Sequence, residues 1–195
     1  MTTSIRPATH SDIPVLSRLI ERSVRELQRD DYSPDQIDAA LATIYGVDTR
    51  LIDDGTYLVV ETGGAIAACG GWSRRKTLYG GDVWTQRDDD LLDPAVDAAK
   101  IRAFFVHPDW ARKGLGSQLL DACESAALAA GFRRFELGAT LTGVRLYVRR
   151  GYVAVERALV PLPGADAIPV IRMVKVIFAK LEPNVDGSEQ APAIE

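Results

Sequence analysis

The 195-residue chain predicts an α/β domain built on a mixed sheet. Two runs of apolar residues separated by a glycine turn read as an antiparallel hairpin. A later stretch alternates strand and helix patterns in the order β-α-β-α-β. Hydrophobic residues make up 47% of the chain, ample material for one sizeable core at this length.

Ile5 to Ala8 is a short first strand, and Ser11 or Asp12 then caps a helix with Pro14 in its first turn. Leu16, Leu19, Ile20, Ser23, Val24 and Leu27 recur at helical spacing and form its buried stripe. The second helix has a sharper start. Ser33 caps it, Pro34 takes the first helical position and Gln36 completes a capping box, so Ile37, Ala40, Leu41 and Ile44 face inward.

The hairpin pairs Thr56 to Glu61 with Ala65 to Trp72 across Gly63-Gly64. Ser73 to Ala99 is polar and reads as a long connection, the kind of loop that often lines a substrate site. Ile101 to Val106 is the next strand, stopped by Pro108. Leu115, Leu119, Cys123, Ala126, Ala127 and Ala130 mark the inner face of a helix that Gly131 ends. Phe135 to Gly138 is a strand, about Thr142 to Arg150 a helix closed by Gly151, and Tyr152–Val160 and Val170–Lys180 are two further strands. From Glu182 onward no apolar period survives, which predicts a disordered tail over 182–195.

With 27 acidic and 23 basic residues the net charge is −4, which argues against nucleic acid or anionic lipid as a general partner. No run approaches the ~20 apolar residues of a membrane span, and the N-terminus lacks a secretory signal pattern. The expectation is a soluble, cytoplasmic protein. Cys69 and Cys123 lie far apart without metal or redox spacing and read as buried thiols, while His10 and His107 stand singly, in surface or capping positions. No metal site is expected.

The segment richest in chemistry runs Trp110-Ala111-Arg112-Lys113-Gly114-Leu115-Gly116-Ser117, between a strand and a helix. Glycines let a backbone approach an anion closely, and the helix start offers unpaired N–H groups and the positive end of its dipole. A glycine pair by itself also fits a simple tight turn. The Walker loop is excluded because no lysine stands between Gly116 and Ser117, and the dinucleotide fingerprint because its third glycine position is Leu119.

From Phe104 to Gly116 the chain resembles the core motif of the GNAT superfamily of N-acetyltransferases, Gln/Arg-x-x-Gly-x-Gly/Ala after a strand and a Pro-containing turn. It departs at Ala111, where the family usually has Gln or Arg, with Arg112 next to it. Leu146-Tyr147-Val148-Arg149-Arg150-Gly151-Tyr152 resembles the family's second motif. The resemblance implies a GNAT-like mixed, mostly antiparallel sheet flanked by helices, with residues 1–181 as a single N-acetyltransferase domain whose β-α-β-α-β segment binds the cofactor.

What the resemblance implies for the site is specific. Acetyl-CoA is the acyl donor, its pantetheine arm lying against the main chain of Phe105 and Val106. Its pyrophosphate takes N–H donors from Arg112, Lys113, Gly114, Leu115, Gly116 and Ser117. Tyr147 is the general acid for the departing thiolate, since a phenol of pKa near 10 is protonated at neutral pH; a core tyrosine packed under the sheet is the competing reading. Tyr32, Trp72 and Arg74 fall in segments that border the acceptor cleft in relatives. The general base stays open among Glu61, Asp82, His107, Glu136 and a water chain.

The acid run Asp88-Asp89-Asp90 fits a solvated loop better than a binding patch. The expected reaction is acetyl transfer to a primary amine on a small molecule. A protein lysine or N-terminal acetyltransferase and a non-catalytic coenzyme A sensor are the alternatives. A homodimer is common in such folds, but no interface is legible in the sequence.

Overall fold

A computed structural model describes residues 2–178. The tail expected over 182–195, and the last residues of the strand expected to run to Lys180, lie outside the described residues. Seven strands form one sheet in the order β1-β2-β3-β4-β5-β7-β6, with β1 at Thr3–Pro7, β2 at Tyr57–Thr62, β3 at Ala65–Ser73, β4 at Ala99–Val106, β5 at Arg134–Thr140, β6 at Val153–Leu162 and β7 at Ala165–Val176. All neighbouring pairs are antiparallel except β4 with β5. The mixed, mostly antiparallel sheet is as expected.

Helices cover both faces. On one face α1 (Ile13–Leu27), α2 (Pro34–Thr43) and the short α3 (Thr49–Asp53) bury Leu16, Ile20, Val24, Ile37 and Leu51 against Tyr57, Val59 and Phe105. On the other, α4 (Leu115–Ala129) and α5 (Val144–Arg149) bury Leu119, Cys123 and Tyr147, together with Phe132 just after α4, against Val60, Phe135 and Met173. Val59 and Val60 thus enter opposite cores, as the two-residue period of a strand requires.

Local sequence signals set most of the element ends. Ser33 Oγ accepts from the Gln36 N–H and Gln36 Oε1 from the Ser33 N–H, so the capping box forms as expected. Gly131 and Gly151 end their helices with φ of +95° and +86°, conformations costly for any residue with a Cβ. The first helix differs: a 3-10 turn at His10–Asp12 precedes it, because the Asp12 carboxylate accepts from the Thr9 N–H. Arg6 clamps the same carboxylate and holds it well below the usual carboxylate range.

Three further departures have physical reasons. The helix α3 is only five residues long and carries no periodic stripe by which sequence could reveal it. Strand β7 begins at Ala165 despite Pro169, since β5 pairs with β7 only as far as Val170. The proline nitrogen therefore interrupts no ladder bond to β5. Strand β4 starts at Ala99, two residues before the expected Ile101, through pairing of Lys100 with Ser73.

Strand β4 also carries a bulge. Gly71 pairs with Arg102 and Cys69 with Phe105, so Ala103 and Phe104 oppose the single residue Gly70. Ala103 takes a positive φ of 54° to achieve this. The Phe104 ring then lies over Gly70, where an added Cβ would stand 2.5 Å from it. Gly70→Ala is expected to destabilise the fold by about 1–3 kcal/mol through overpacking, read as a lower urea midpoint at unchanged slope.

Candidate functional site

The parallel strands β4 and β5 pair only at Ala99 with Phe135 and Lys100 with Glu136. Beyond these rungs they part, and a cavity of about 500 Å³ opens between them. Its walls are β4 from Ile101 to Val106, Gly138 and Thr140 of β5, the start of α4, and one side of α5. On the α1 face it is closed by Gln28, Tyr45, Tyr79 and Gly80.

The turn into α4 leaves main-chain donors free. Arg112 and Gly114 are both left-handed, with φ of 62° and 86°, and turns of this kind direct successive N–H groups into one concavity. Among the described residues, the backbone N–H groups of Arg112, Lys113, Gly114, Leu115 and Gly116 find no backbone acceptor. Ser117 lines the cavity but differs from expectation: its N–H already donates to the Gly114 carbonyl at 3.0 Å. Lys113 differs too. Its ammonium sits 4.6 Å from the Trp110 ring centroid, and the residue does not line the cavity.

The two glycines serve separate purposes. An added Cβ at Gly114 would meet nothing, so its requirement is the left-handed backbone. At Gly116 an added Cβ would come within 3.2 Å of Leu146, so its requirement is close approach of α4 to α5.

Tyr147 lines the cavity from α5. Its ring meets Phe104 edge-on at 6.4 Å and Tyr152 at 5.7 Å, and Gly143 leaves room for it. Burial pushes its phenol above the ordinary value, so the hydroxyl keeps its proton at neutral pH. The same burial makes it a weaker acid than a free phenol, so its proton leaves only to a strongly basic partner. Phe105 and Val106 also line the cavity, Phe105 with its ring edge-on to Tyr45 at 5.9 Å.

Three expected acceptor-side residues stand elsewhere. Trp72 is in the α4-side core, edge-on to Phe132 at 6.0 Å, because its register opposite Ile101 turns it to that face. Arg74 follows it, its guanidinium 5.7 Å from the Trp72 ring centroid. Tyr32 is a buried clamp: its hydroxyl donates to the Pro169 carbonyl at 3.0 Å and accepts from the Leu141 N–H at 2.7 Å. Burial pushes its phenol up to about 12. None of the three lines the cavity.

The candidate bases are also engaged elsewhere. Glu61 pairs with Arg6, and Asp82 accepts from the Thr49 N–H. His107 accepts from the Asp109 N–H, a capping position as expected. Burial works to raise the Glu136 carboxyl, but hydrogen bonds from Lys100 and Arg172 outweigh it and hold it below the usual range. Among the described residues no carboxylate or histidine lines the cavity. The acid run, expected as a solvated loop, is instead partly paired, with Asp89 on Arg50 and Asp90 on Lys76.

Sequence reasoning missed several lining residues. Arg145 and Arg149 stand four apart on one face of α5, a spacing that was legible. Gln28, Tyr45, Tyr79 and Arg102 carried no such signal, since chain folding alone assembles them. Arg102 is the most constrained. Its guanidinium donates to the Gly80 carbonyl at 2.6 Å and pairs with Asp48 at 2.8 Å, while Arg87 holds the same Asp48 at 2.9 Å. Asp48 is fully buried. The long connection after β3 reaches the cavity through Leu78, Tyr79, Gly80 and Gly81, as its length led one to expect.

Fold and cavity together define an α/β protein with an anion-ready cleft between two parting strands. In sequence, the model of the Acetyltransferase (GNAT) family matches residues 21–152, and the chain belongs to that family. Solved structures share the fold. The GCN5-related N-acetyltransferase from Rhodopseudomonas palustris is 24% identical with a TM-score of 0.67, covering 91% of this chain and 97% of its own. PaiA N-acetyltransferase from Thermoplasma acidophilum, solved in complex with coenzyme A, is 13% identical with a TM-score of 0.63, covering 90% and 99%. YncA from Salmonella typhimurium, solved with its cofactor acetyl-CoA, is 17% identical with a TM-score of 0.60, covering 95% and 99%. No curated protein sequence matches the chain.

Removing the shared counter-ion of the buried arginines should be costly. Asp48→Ala leaves Arg87 and Arg102 without it, and a loss of about 3–5 kcal/mol is expected in denaturant unfolding. An unchanged unfolding curve would mean that the triad contributes nothing to the fold.

Proposed function

We propose that the chain transfers the acetyl group of acetyl-CoA to a primary amine on a small molecule, with Tyr147 as general acid. The observation that carries this is one continuous cavity bearing the free N–H groups after Ala111 at one part of its wall and a protonated Tyr147 hydroxyl at another. The main chain of Arg112, Gly114, Leu115 and Gly116 fits a diphosphate, and Arg112, Arg145 and Arg149 add positive charge to the same cavity. Phe105 and Val106 fit a pantetheine arm along the parted edge of β4. Acetyl-CoA supplies the activated thioester.

The chemistry balances simply. The amine nitrogen forms a bond to the thioester carbonyl carbon and the carbon–sulfur bond breaks. Tyr147 donates its proton to the departing sulfur, and the proton lost by nitrogen leaves through water to reprotonate the phenolate. Because no carboxylate or histidine lines the cavity among the described residues, that last transfer belongs to solvent. The same absence speaks against a lysine-rich protein acceptor, whose cations would meet Arg102, Arg112, Arg145 and Arg149. It is also what favours a second reading, a coenzyme A sensor without turnover.

Calorimetry with acetyl-CoA, followed by an amine screen read with a thiol reagent, separates these readings. The enzyme releases free thiol only when the right amine is present; a sensor binds acetyl-CoA and releases none. Tyr147→Phe should lower kcat by about 100-fold while acetyl-CoA affinity holds, and unchanged turnover removes Tyr147 from the mechanism. Gly116→Glu should abolish acetyl-CoA binding in calorimetry, because it brings negative charge and bulk to the cradle beside Leu146.

A further inference from the structure

The cavity passes through the sheet from one face to the other. Tyr45, Tyr79 and Phe105 pack in the core on the α1 face, Leu115, Leu146 and Tyr147 in the core on the α4 face, and all of them line it. The parting of β4 from β5 is what lets one void reach both cores. The free N–H groups before α4, with Tyr147, Arg145 and Arg149 of α5, belong to the α4 side.

The α1 side differs in character. There Leu27, Tyr45, Leu78 and Tyr79 are only half-buried, whereas the polar Ser23, Gln28 and Arg102 are buried. The Arg102 guanidinium is already spent on Asp48 and the Gly80 carbonyl. At the end of β5, Thr140 Oγ1 accepts from the Gly143 N–H at 3.2 Å, and Thr142 Oγ1 donates to Asp31. The side-chain surface open to an acceptor is therefore mainly hydrocarbon and aromatic ring, which favours apolar ligands. Among the described residues no carboxylate lines the cavity, so a second ammonium on the acceptor would find no counter-ion.

Tyr79 stands at the β5 edge of this compartment, and Gly138 makes room for it. A Cβ added at Gly138 would lie 3.2 Å from Tyr79 Cδ1. The Trp84 ring meets Tyr79 edge-on at 5.7 Å. The loop that carries it is tied down: the Gly80 carbonyl accepts from Arg102 at 2.6 Å, and the Gly81 N–H donates to the Ile44 carbonyl at 2.8 Å. A ring held in this way has little freedom to swing aside for a longer ligand. We propose that the acceptor is an apolar primary amine, its nitrogen carried on an aromatic or branched hydrocarbon group, and that Tyr79 limits the length of that group. This rests on the acyltransfer reading above, narrows its substrate class and adds a residue that sets specificity.

The test compares matched acceptors at saturating acetyl-CoA: phenylethylamine against ethanolamine, and hexylamine against cadaverine, whose second ammonium takes the place of the terminal methyl. Each apolar amine should exceed its partner by about 100-fold in kcat/KM, since hydrocarbon buried in the transition state adds to the discrimination. Tyr79→Ala should raise kcat/KM for phenylbutylamine relative to benzylamine about 10-fold, with acetyl-CoA affinity unchanged in calorimetry. Tyr79→Phe keeps the ring and should keep the original order. Equal use of ethanolamine and cadaverine overturns the substrate class while leaving the cofactor reading intact. An unchanged length preference in Tyr79→Ala overturns the role of Tyr79. If acetyl-CoA binds and no amine reacts, calorimetry of the coenzyme A complex with the two acetylated products decides the matter. N-acetyl-phenylethylamine bound about 10-fold tighter than N-acetylethanolamine sustains the apolar site, and equal or absent binding rejects it. Failure to bind acetyl-CoA strikes the acyltransfer reading itself, and this proposal falls with it.

Discussion

Two rungs, Ala99 with Phe135 and Lys100 with Glu136, hold the parallel strands β4 and β5 together, and the site exists because the pairing goes no further. A sheet that parts leaves main-chain groups on both strands without partners, and such edges are normally a liability. Here the parted edges become the walls of a cleft. The bulge at Ala103 and Phe104 belongs to the same device: two residues against Gly70 bend β4 away from β5 and turn Phe104 toward Tyr147. Gly70 permits this because it has no side chain for the Phe104 ring to meet. A single backbone irregularity thus sets an aromatic ring against the phenol in the stretch where the strands have parted.

Around that cleft the electrostatics are one-sided. Arg102, Arg112, Arg145 and Arg149 all line it, and among the described residues no acidic side chain does. The chain as a whole is acidic, at −4, so overall charge conceals the local field. The carboxylates are instead spent on structure: Asp54 on Arg75, Asp12 on Arg6, Glu136 between Lys100 and Arg172, Asp48 between Arg87 and Arg102. The last arrangement matters most. It fixes a guanidinium in a dry wall, where electrostatic interactions are stronger than at a solvated surface.

Signals carried within a few residues were legible without coordinates. The capping box at Ser33 and Gln36, the glycine stops at Gly131 and Gly151, the β2–β3 hairpin and the free N–H turn before α4 all depend on local backbone preferences. The family motifs around Gly114–Gly116 and Tyr147 likewise lie on short continuous segments, so family membership could be read from them. Where reading went astray, the cause was register. Trp72 was assigned to the cleft, but a strand's two-residue alternation puts it with Phe132 on the α4 side. Tyr32 lies between α1 and α2 as expected, yet its hydroxyl is consumed by Pro169 and Leu141, contacts more than a hundred residues away in sequence.

The amino-acid sequence by itself therefore determined most of the element types and ends and the glycine turn before α4, because each rests on spacing or dihedral preference within one segment, while Tyr147 was singled out by its place in a family motif. Tertiary structure alone decided which residues line the cleft from the α1 side. Gln28 ends one helix, Tyr45 follows another, Arg102 sits on a strand and Gly80 in a loop, and no local rule relates them. Their meeting depends on long-range packing and on the separation of β4 from β5, both set by the whole chain.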